Sequence, residues 1–189
     1  MATAKTGSFY LTETVTLLST ATDGARVQGS IDLGAYVNVA TGQAVAVEQV
    51  DFIYQAGADF SQDASDLVDG SATLSVQLTD LNPGTLFVRA DDQSLIASGA
   101  LACNRAGSTA TNANILSHQA DMYPDNFGGT NLSEAFMVVN DTLYLVGGIN
   151  GNDVGASDVF ITARIKCRVA KLSSKDWMAI AIQSTASDN

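Results

Sequence analysis

The sequence predicts an all-β protein: an antiparallel sandwich of eight or nine strands, with long loops and a short C-terminal helix. Three observations predict it. Apolar residues alternate with Thr, Ser and charged residues at period two, the pattern of half-buried strands. The acids are 17 Asp against three Glu, and Asp favours turns where Glu favours helices. Strand patterns do not alternate with helix patterns, which argues against a parallel sheet built from βαβ units.

The elements follow in chain order. Phe9, Leu11, Val15 and Leu17 share odd positions with Thr12, Thr14 and Thr16 between them, and Glu13 interrupts the apolar side. Asp23-Gly24 punctuates the chain before Val27, Gly29, Ile31 and Leu33 open a second strand. That strand is expected to run through Tyr36–Val39 to a hairpin connection at Ala40–Gln43, where Gly42 supplies a positive φ. Residues 44–55 form the return strand, with Val45, Val47 and Gln49 on one face and Val50, Phe52 and Tyr54 on the other, so both faces are expected to be covered.

Residues 56–70 read as a polar loop with one helical turn near Asp63–Val68. Leu74, Val76 and Leu78 point inward from a strand over Thr73–Thr79. Asn82-Pro83-Gly84 is a turn, because Pro presets φ and Gly accepts the left-handed position. Strands are expected over Thr85–Ala90 and Ser94–Cys103, and residues 104–114 read as a long exposed loop. Ile115–Met122 suits either a strand or a short helix. Phe136–Val139 and Leu143–Val146, joined by Asn140-Asp141, read as a hairpin. Gly147–Asp158 reads as a glycine-rich loop and Val159–Leu172 as a long final strand. Residues 173–184 read as the one helix, with Ser173 or Ser174 as cap, Asp176 in the first turn, and Trp177, Ile180 and Ala181 at helical spacing.

Composition bounds the function. With 189 residues, 46% hydrophobic and 15% charged, the chain is long and apolar enough for a packed core. No break divides it, so residues 1–189 are expected to form one domain. The net charge of −11 offers little of the counterion-release affinity that drives nucleic-acid binding, so sequence-specific nucleic-acid recognition is not expected. Met1–Tyr10 is followed by no apolar stretch of signal-peptide length, and no window approaches a membrane span. Cys103 and Cys167 sit in no CxxC pattern. They read as two buried thiols, with a disulfide as the alternative.

Candidate sites are few. The most distinct is Arg164-Ile-Lys-Cys-Arg168-Val-Ala-Lys171. In a strand Arg164, Lys166 and Arg168 project to one face while Ile165, Cys167 and Val169 project to the other. Residues 1–163 carry a net −14 and residues 164–189 a net +3, so the charge is divided along the chain. A basic stripe of this kind can meet an acidic neighbour, or it can be a solvated face that guards an edge against aggregation. Trp177, on the terminal helix, can dock on its own sandwich or on a neighbour.

Asp63, Asp66, Asp69 and Gly70, and separately Asn150, Asn152, Asp153 and Asp158, offer oxygen ligands of the kind Ca²⁺ takes, but neither has EF-hand spacing. No metal or cofactor is expected. His118, the only histidine, lies beside Ser117 and Asp121, but triad members converge from separate elements. No GxSxG, Walker or HExxH motif is present, so the chain is not expected to be an enzyme. Asn131-Leu-Ser and Asn140-Asp-Thr fit the glycosylation sequon, but without a signal peptide they are expected to be chance matches.

Strand number, size, acidity and abundant Ala, Gly, Ser and Thr together resemble single jelly-roll capsid proteins. They are most similar to those of icosahedral archaeal and bacterial viruses with an internal membrane. Residues 1–30 hold only Lys5 and Arg26 as basic residues, unlike the basic N-terminal arm of many small-virus coats. The resemblance implies a single jelly roll and a structural virion role without cofactors, as a capsid subunit of an icosahedral shell. Its implied partners are copies of itself, with a second capsid protein and contact with an internal viral membrane as further ones. Arg164, Lys166, Arg168, Lys171 and Trp177 are the expected contact residues. A tailed-phage tail-tube or head-decoration protein and a carbohydrate-binding β-sandwich module are the alternatives. The last requires exposed aromatics on one face.

Overall fold

The computed structural model describes residues 2–106, 114–123, 132 and 135–185. Strand accounts for 52% of the chain and helix for 9%, far below the ordinary helical share of about a third, so the all-β expectation holds. The strands are β1 (Thr3–Ala4), β2 (Phe9–Leu17), β3 (Arg26–Asp32), β4 (Gln43–Ala56), β5 (Ala72–Thr79), β6 (Leu95–Ala106), β7 (Asn114–Tyr123), β8 (Phe136–Val138), β9 (Thr142–Asn150) and β10 (Val159–Lys171). The helices are α1 (Ala64–Leu67) and α2 (Ser174–Thr185), with a 3₁₀ turn at Val39–Thr41.

Two antiparallel five-stranded sheets pack face to face. The front sheet runs β1-β10-β4-β8, with β2 also pairing β10, and the back sheet runs β3-β9-β5-β6-β7. β1 and β2 lie against the same edge of β10, at Ala170–Lys171 and at Val159–Cys167 respectively. Among the eight principal strands, setting β1 and β7 aside, the pairs are β2·β10, β3·β9, β4·β8 and β5·β6. First pairs with last, second with second-last, and so inward: one long double ribbon, wound so that alternate pairs fall in opposite sheets. That is the jelly roll. The inward faces fill the space between the sheets with Leu17, Val45, Val47, Leu74, Val76, Leu78, Val138, Ile161, Ile165 and Cys167, all fully buried.

Several local expectations are corrected. Residues 34–42 continue no strand. They cross from the back sheet to the front one. Asn38 and Gln43 exchange both backbone hydrogen bonds around Val39–Gly42, with Gly42 at the expected positive φ of 67°, so the tight turn forms but closes a single bridge, and the strands it joins lie in different sheets. Asn140-Asp141 likewise joins β8 in the front sheet to β9 in the back one. There Leu33 N–H donates to the Asp141 carbonyl, and Asn140 Nδ2 donates to the Asp80 carbonyl. Thr85–Ala90 is not a strand. The Gln77 side-chain amide bonds both the N–H and the C=O of Val88, a substitute for strand pairing. β6 extends to Ala106 and β7 resolves the ambiguity over 115–122 as strand; residues 107–113 of the expected exposed loop lie outside the described residues.

The two-faced reading of β4 is also corrected. Lys166 faces Gln49, but Cys167 faces Val47, so Glu48 is an extra residue in the β4 ladder. Such a bulge shifts the alternation by one. Val45 and Val47 before it and Val50, Phe52 and Tyr54 after it therefore all belong to the same core.

Gly147 and Gly148, expected in a loop, lie within β9. A Cβ on Gly147 would sit 2.8 Å from Val15 Cγ2 and 3.0 Å from Ile161 Cδ1, both on the front sheet. Gly99, which shares the register partner Val76 with Gly147, lies under Phe52, whose Cδ2 would be 2.8 Å from an added Cβ. The back sheet thus carries inward hollows into which bulky front-sheet side chains fit.

Candidate interaction surface

The outer face of the front sheet carries Arg164, Lys166 and Arg168, three of the residues singled out by the sequence. Along β10 the fully buried Ile165 and Cys167 alternate with Arg164, Lys166 and Arg168, as period two demands. Arg164 is exposed, and its guanidinium carbon lies 5.2 Å from the centroid of Tyr10 on the adjoining β2. Lys166 is half-buried between Gln49 and Tyr10, its register partners. Lys171 is exposed at the end of the strand, at the parity of Ile165 and Cys167 and so off the face that carries Arg164 and Lys166.

Arg168 differs. Its guanidinium forms an ion pair with Glu48, whose side chain is 1% exposed. Ser8 Oγ donates to the other carboxylate oxygen at 2.8 Å. The preceding residues are tied to β10, with Lys5 N–H donating to the Val169 carbonyl and Val169 N–H to Thr6 Oγ1. One of the three stripe cations is therefore neutralised within the chain. Glu48 could not be found from period alone, because the bulge that places it is a property of the pairing with β10.

Ser173 caps α2, its Oγ accepting from Asp176 N–H at 3.1 Å. Trp177, Ile180 and Ala181 pack on Ala44, Val139 and Leu172, with Ala2 and Met137 beside them. Trp177 thus docks on its own sandwich, while Met178 and Ile182 remain exposed at 61% and 63%.

At the opposite end of this face the loop 57–60 meets residues 157–160. Phe60 and Phe160 have ring centroids 5.7 Å apart with their planes tilted by 57°. They line an open concavity of about 400 Å³ with Gly57, Ala58, Ser157 and Asp158. Sequence reading missed Phe60; the available signal was a single aromatic in the polar run 56–66.

The two acidic segments weighed as Ca²⁺ ligands come together, Asp69 N–H donating to the Asp153 carbonyl and Val68 bridging Val154. Their neighbours are held by carboxylate–amide bonds: Asp23 N–H to Asp153 Oδ1, Gly151 N–H to Asp23 Oδ1, Ser19 N–H to Asp158 Oδ1. Among the described residues no three His, Cys, Asp or Glu side chains gather as metal ligands. Ser117, His118 and Asp121 fall in β7, with His118 opposite Ala102 in the backbone register. Of the sequons, Asn140 is engaged with Asp80, and Asn131 lies outside the described residues.

Asp80 is a buried carboxyl that the sequence did not flag. Burial raises it to about 7, hydrogen bonds from its own backbone and Asn140 oppose that, and the charge of Asp92 adds to it. Cys103 and Cys167 are free and buried. No helix of the described residues is long and apolar enough to cross a membrane.

Fold and face together define a jelly-roll sandwich with a continuous apolar core and a charged, partly aromatic outer sheet face. No protein-family model and no curated protein matches the chain. Among solved structures it is similar to one of turnip yellow mosaic virus (11% identity, TM-score 0.28, 88% of this chain and 95% of that one). Another is of desmodium yellow mottle tymovirus (6% identity, TM-score 0.26, 90% of this chain and 87% of that one). The jelly roll rests on the pairing order of the strands.

Proposed function

We propose that the chain is a structural virion protein: a capsid subunit that assembles through contacts between copies of itself into an icosahedral shell, in the manner of viruses with an internal membrane. In this reading it performs no catalysis and uses no cofactor. One observation carries it. The inward faces of the described strands form one continuous apolar core, and a concavity lined by Phe52, Tyr54, Leu67 and Leu101 holds only about 240 Å³, below the roughly 300 Å³ at which small-molecule sites begin. Cupins and lectins on this architecture need a ligand cleft, whereas a coat subunit needs only surfaces.

Arg164, Lys166 and Lys171 are the cations offered to a neighbour. A net charge of −11 makes like subunits repel, and a local basic stripe offsets that repulsion where two copies meet. Exposed pairs are each worth only ~0–1 kcal/mol, so charge sets register, and apolar contacts such as Met178 and Ile182 beside the docked Trp177 supply affinity. Arg168 is left out of the charge-reversal set, because a glutamate there would face Glu48.

Electron microscopy of the purified chain at low and high salt tests the reading. Rings, capsomers or closed shells are expected, and Arg164→Glu with Lys166→Glu and Lys171→Glu suppresses them at low salt. Stacked tubes would assign a tail-tube role instead, and a chain that stays monomeric at every concentration would overturn the reading.

A further inference from the structure

We infer that the notch lined by Gly57, Phe60, Ser157, Asp158 and Phe160, with the Asp59 carboxylate beside Gly57, receives a basic side chain from the Arg164–Lys166 stripe of a second copy; this rests on the assembly reading above. Phe60 carries the first argument. It is 56% exposed and sits at φ 55°, the left-handed region, the one non-glycine residue of the described chain there. The turn asks for that conformation: Phe60 N–H donates to the Gly57 carbonyl, and Ala56 and Ser61 exchange both backbone bonds. Glycine would meet this demand without strain, whereas a bulky residue in this region is a true outlier. The ring packs against Phe160, yet 56% of Phe60 stays exposed, so its own chain covers less than half of it, and strain held at such a residue points to a contact beyond the turn.

The chemistry of the notch is that of a cation receptor. Gly57 forms its floor: a Cβ there would lie 3.2 Å from Asp59 Oδ1 and 3.5 Å from Ser157 Oγ. Asp158 holds Ser19 N–H with Oδ1. Neither Asp59 nor Asp158 is paired with a basic side chain among the described residues. Two uncompensated carboxylates beside two tilted aromatic rings attract a guanidinium or ammonium group, by charge and by the ring faces. A neutral sugar would ask for donors as well as acceptors, and the Ser157 hydroxyl is the one side-chain donor lining the notch.

The same molecule displays the matching group. Among the described residues neither Arg164 nor Lys166 forms an ion pair within 4 Å, although Asp51 is the register partner of Arg164 on β4. Phe160 and Arg164 lie on one strand face, four residues and so about 13 Å apart. Two copies related by a two-fold axis through this face place the stripe of each against the notch of the other, a self-complementary contact.

Sedimentation of the full chain at low ionic strength tests this with Phe60→Gly, Asp59→Lys and the pair Arg164→Glu/Lys166→Glu. Phe60→Gly is expected to melt at or above the wild-type temperature and yet associate about tenfold more weakly, roughly the loss of one well-buried contact. Asp59→Lys and the stripe variant each associate weakly alone. Their equimolar mixture recovers association, because each then faces opposite charge at both contacts. If the stripe variant weakens association while Phe60→Gly and Asp59→Lys do not, the notch inference fails and the assembly reading stands. If the wild type never associates, both fail. Loss of binding to immobilised saccharides in Phe60→Gly, with association intact, would assign the notch to a sugar and overturn the inference.

Discussion

Glu48 and Arg168 form an ion pair on the outer face of the front sheet, and the bulge in β4 is what brings them together. Without that extra residue the strand would keep one parity throughout, and Val45 and Val47 could not share a core with Phe52 and Tyr54. The same irregularity settles two matters: which apolar residues face inward, and where a carboxylate meets the third cation of the stripe.

Removing one partner alone is therefore expected to be severe. Glu48→Ala leaves Arg168, whose side chain is only 16% exposed, without its counter-charge, at a cost of about 3–5 kcal/mol. Replacing both, as Glu48→Leu with Arg168→Met, is expected to be nearly neutral, since apolar pairs of similar volume often are. Urea unfolding of the two variants measures the contrast, and equal midpoints would contradict it.

Asp80 predicts a pH dependence of stability. Its carboxyl lies at about 7 in the fold against an ordinary value of 3.8, so the folded chain holds this proton more tightly than the unfolded one. Its contribution is most favourable below about pH 4, is lost as pH rises toward 7, and stays lost above that, a change on the order of 4 kcal/mol. Asp80→Asn mimics the neutral acid. Thermal unfolding at pH 5 and pH 8 is expected to show a smaller decline for this variant than for wild type.

Gly147 sets the spacing of the sheets. Alanine there would press a methyl group against Val15 and Ile161, at 2.8 and 3.0 Å, and overpacking of this kind costs about 1–3 kcal/mol. Gly147→Val is expected to cost more. Gly84→Ala, where no atom lies within 4 Å but φ is 64°, isolates backbone strain from packing. Calorimetry of the three separates crowding from strain.

Both thiols are expected to resist reagents in the native chain. Burial pushes the Cys167 thiol up to about 12, with the Glu48 charge adding to it, and burial also raises Cys103. A thiol-specific chromophore at pH 8 is expected to label neither until denaturant is added and then to label both. Rapid native labelling of Cys167 would show that the front sheet opens at β10.

Strand identity was legible because period two survives in short windows: Leu74, Val76 and Leu78, or Ile165, Cys167 and Val169, need only their neighbours to be read. Pairing was not. Gly42 and Asn140-Asp141 have hairpin chemistry, yet a corner between sheets asks for the same φ and the same side-chain bonds. Gly147-Gly148 looks like a turn until Val15 and Ile161, far away in sequence, are seen to occupy the space a side chain would take. The basic stripe was legible as alternation, whereas the neutralisation of Arg168 depends on a bulge in another strand. Phe60 was missed: its one signal was an aromatic among polar residues, and its left-handed backbone has no signature in composition.

The nesting of first strand with last has a consequence for the order of events during synthesis. β10 lies between β2 and β4, and it emerges from the ribosome after every other principal strand. Until then a nascent chain can close the inner pairs of the ribbon, but the centre of its front sheet is missing, and distant pairings of this kind form slowly. Arg164 and Lys166 ride on that same strand. The element that completes the fold also delivers the basic stripe, so an unfinished chain lacks the cations with which, in the reading proposed here, it would recruit a neighbour.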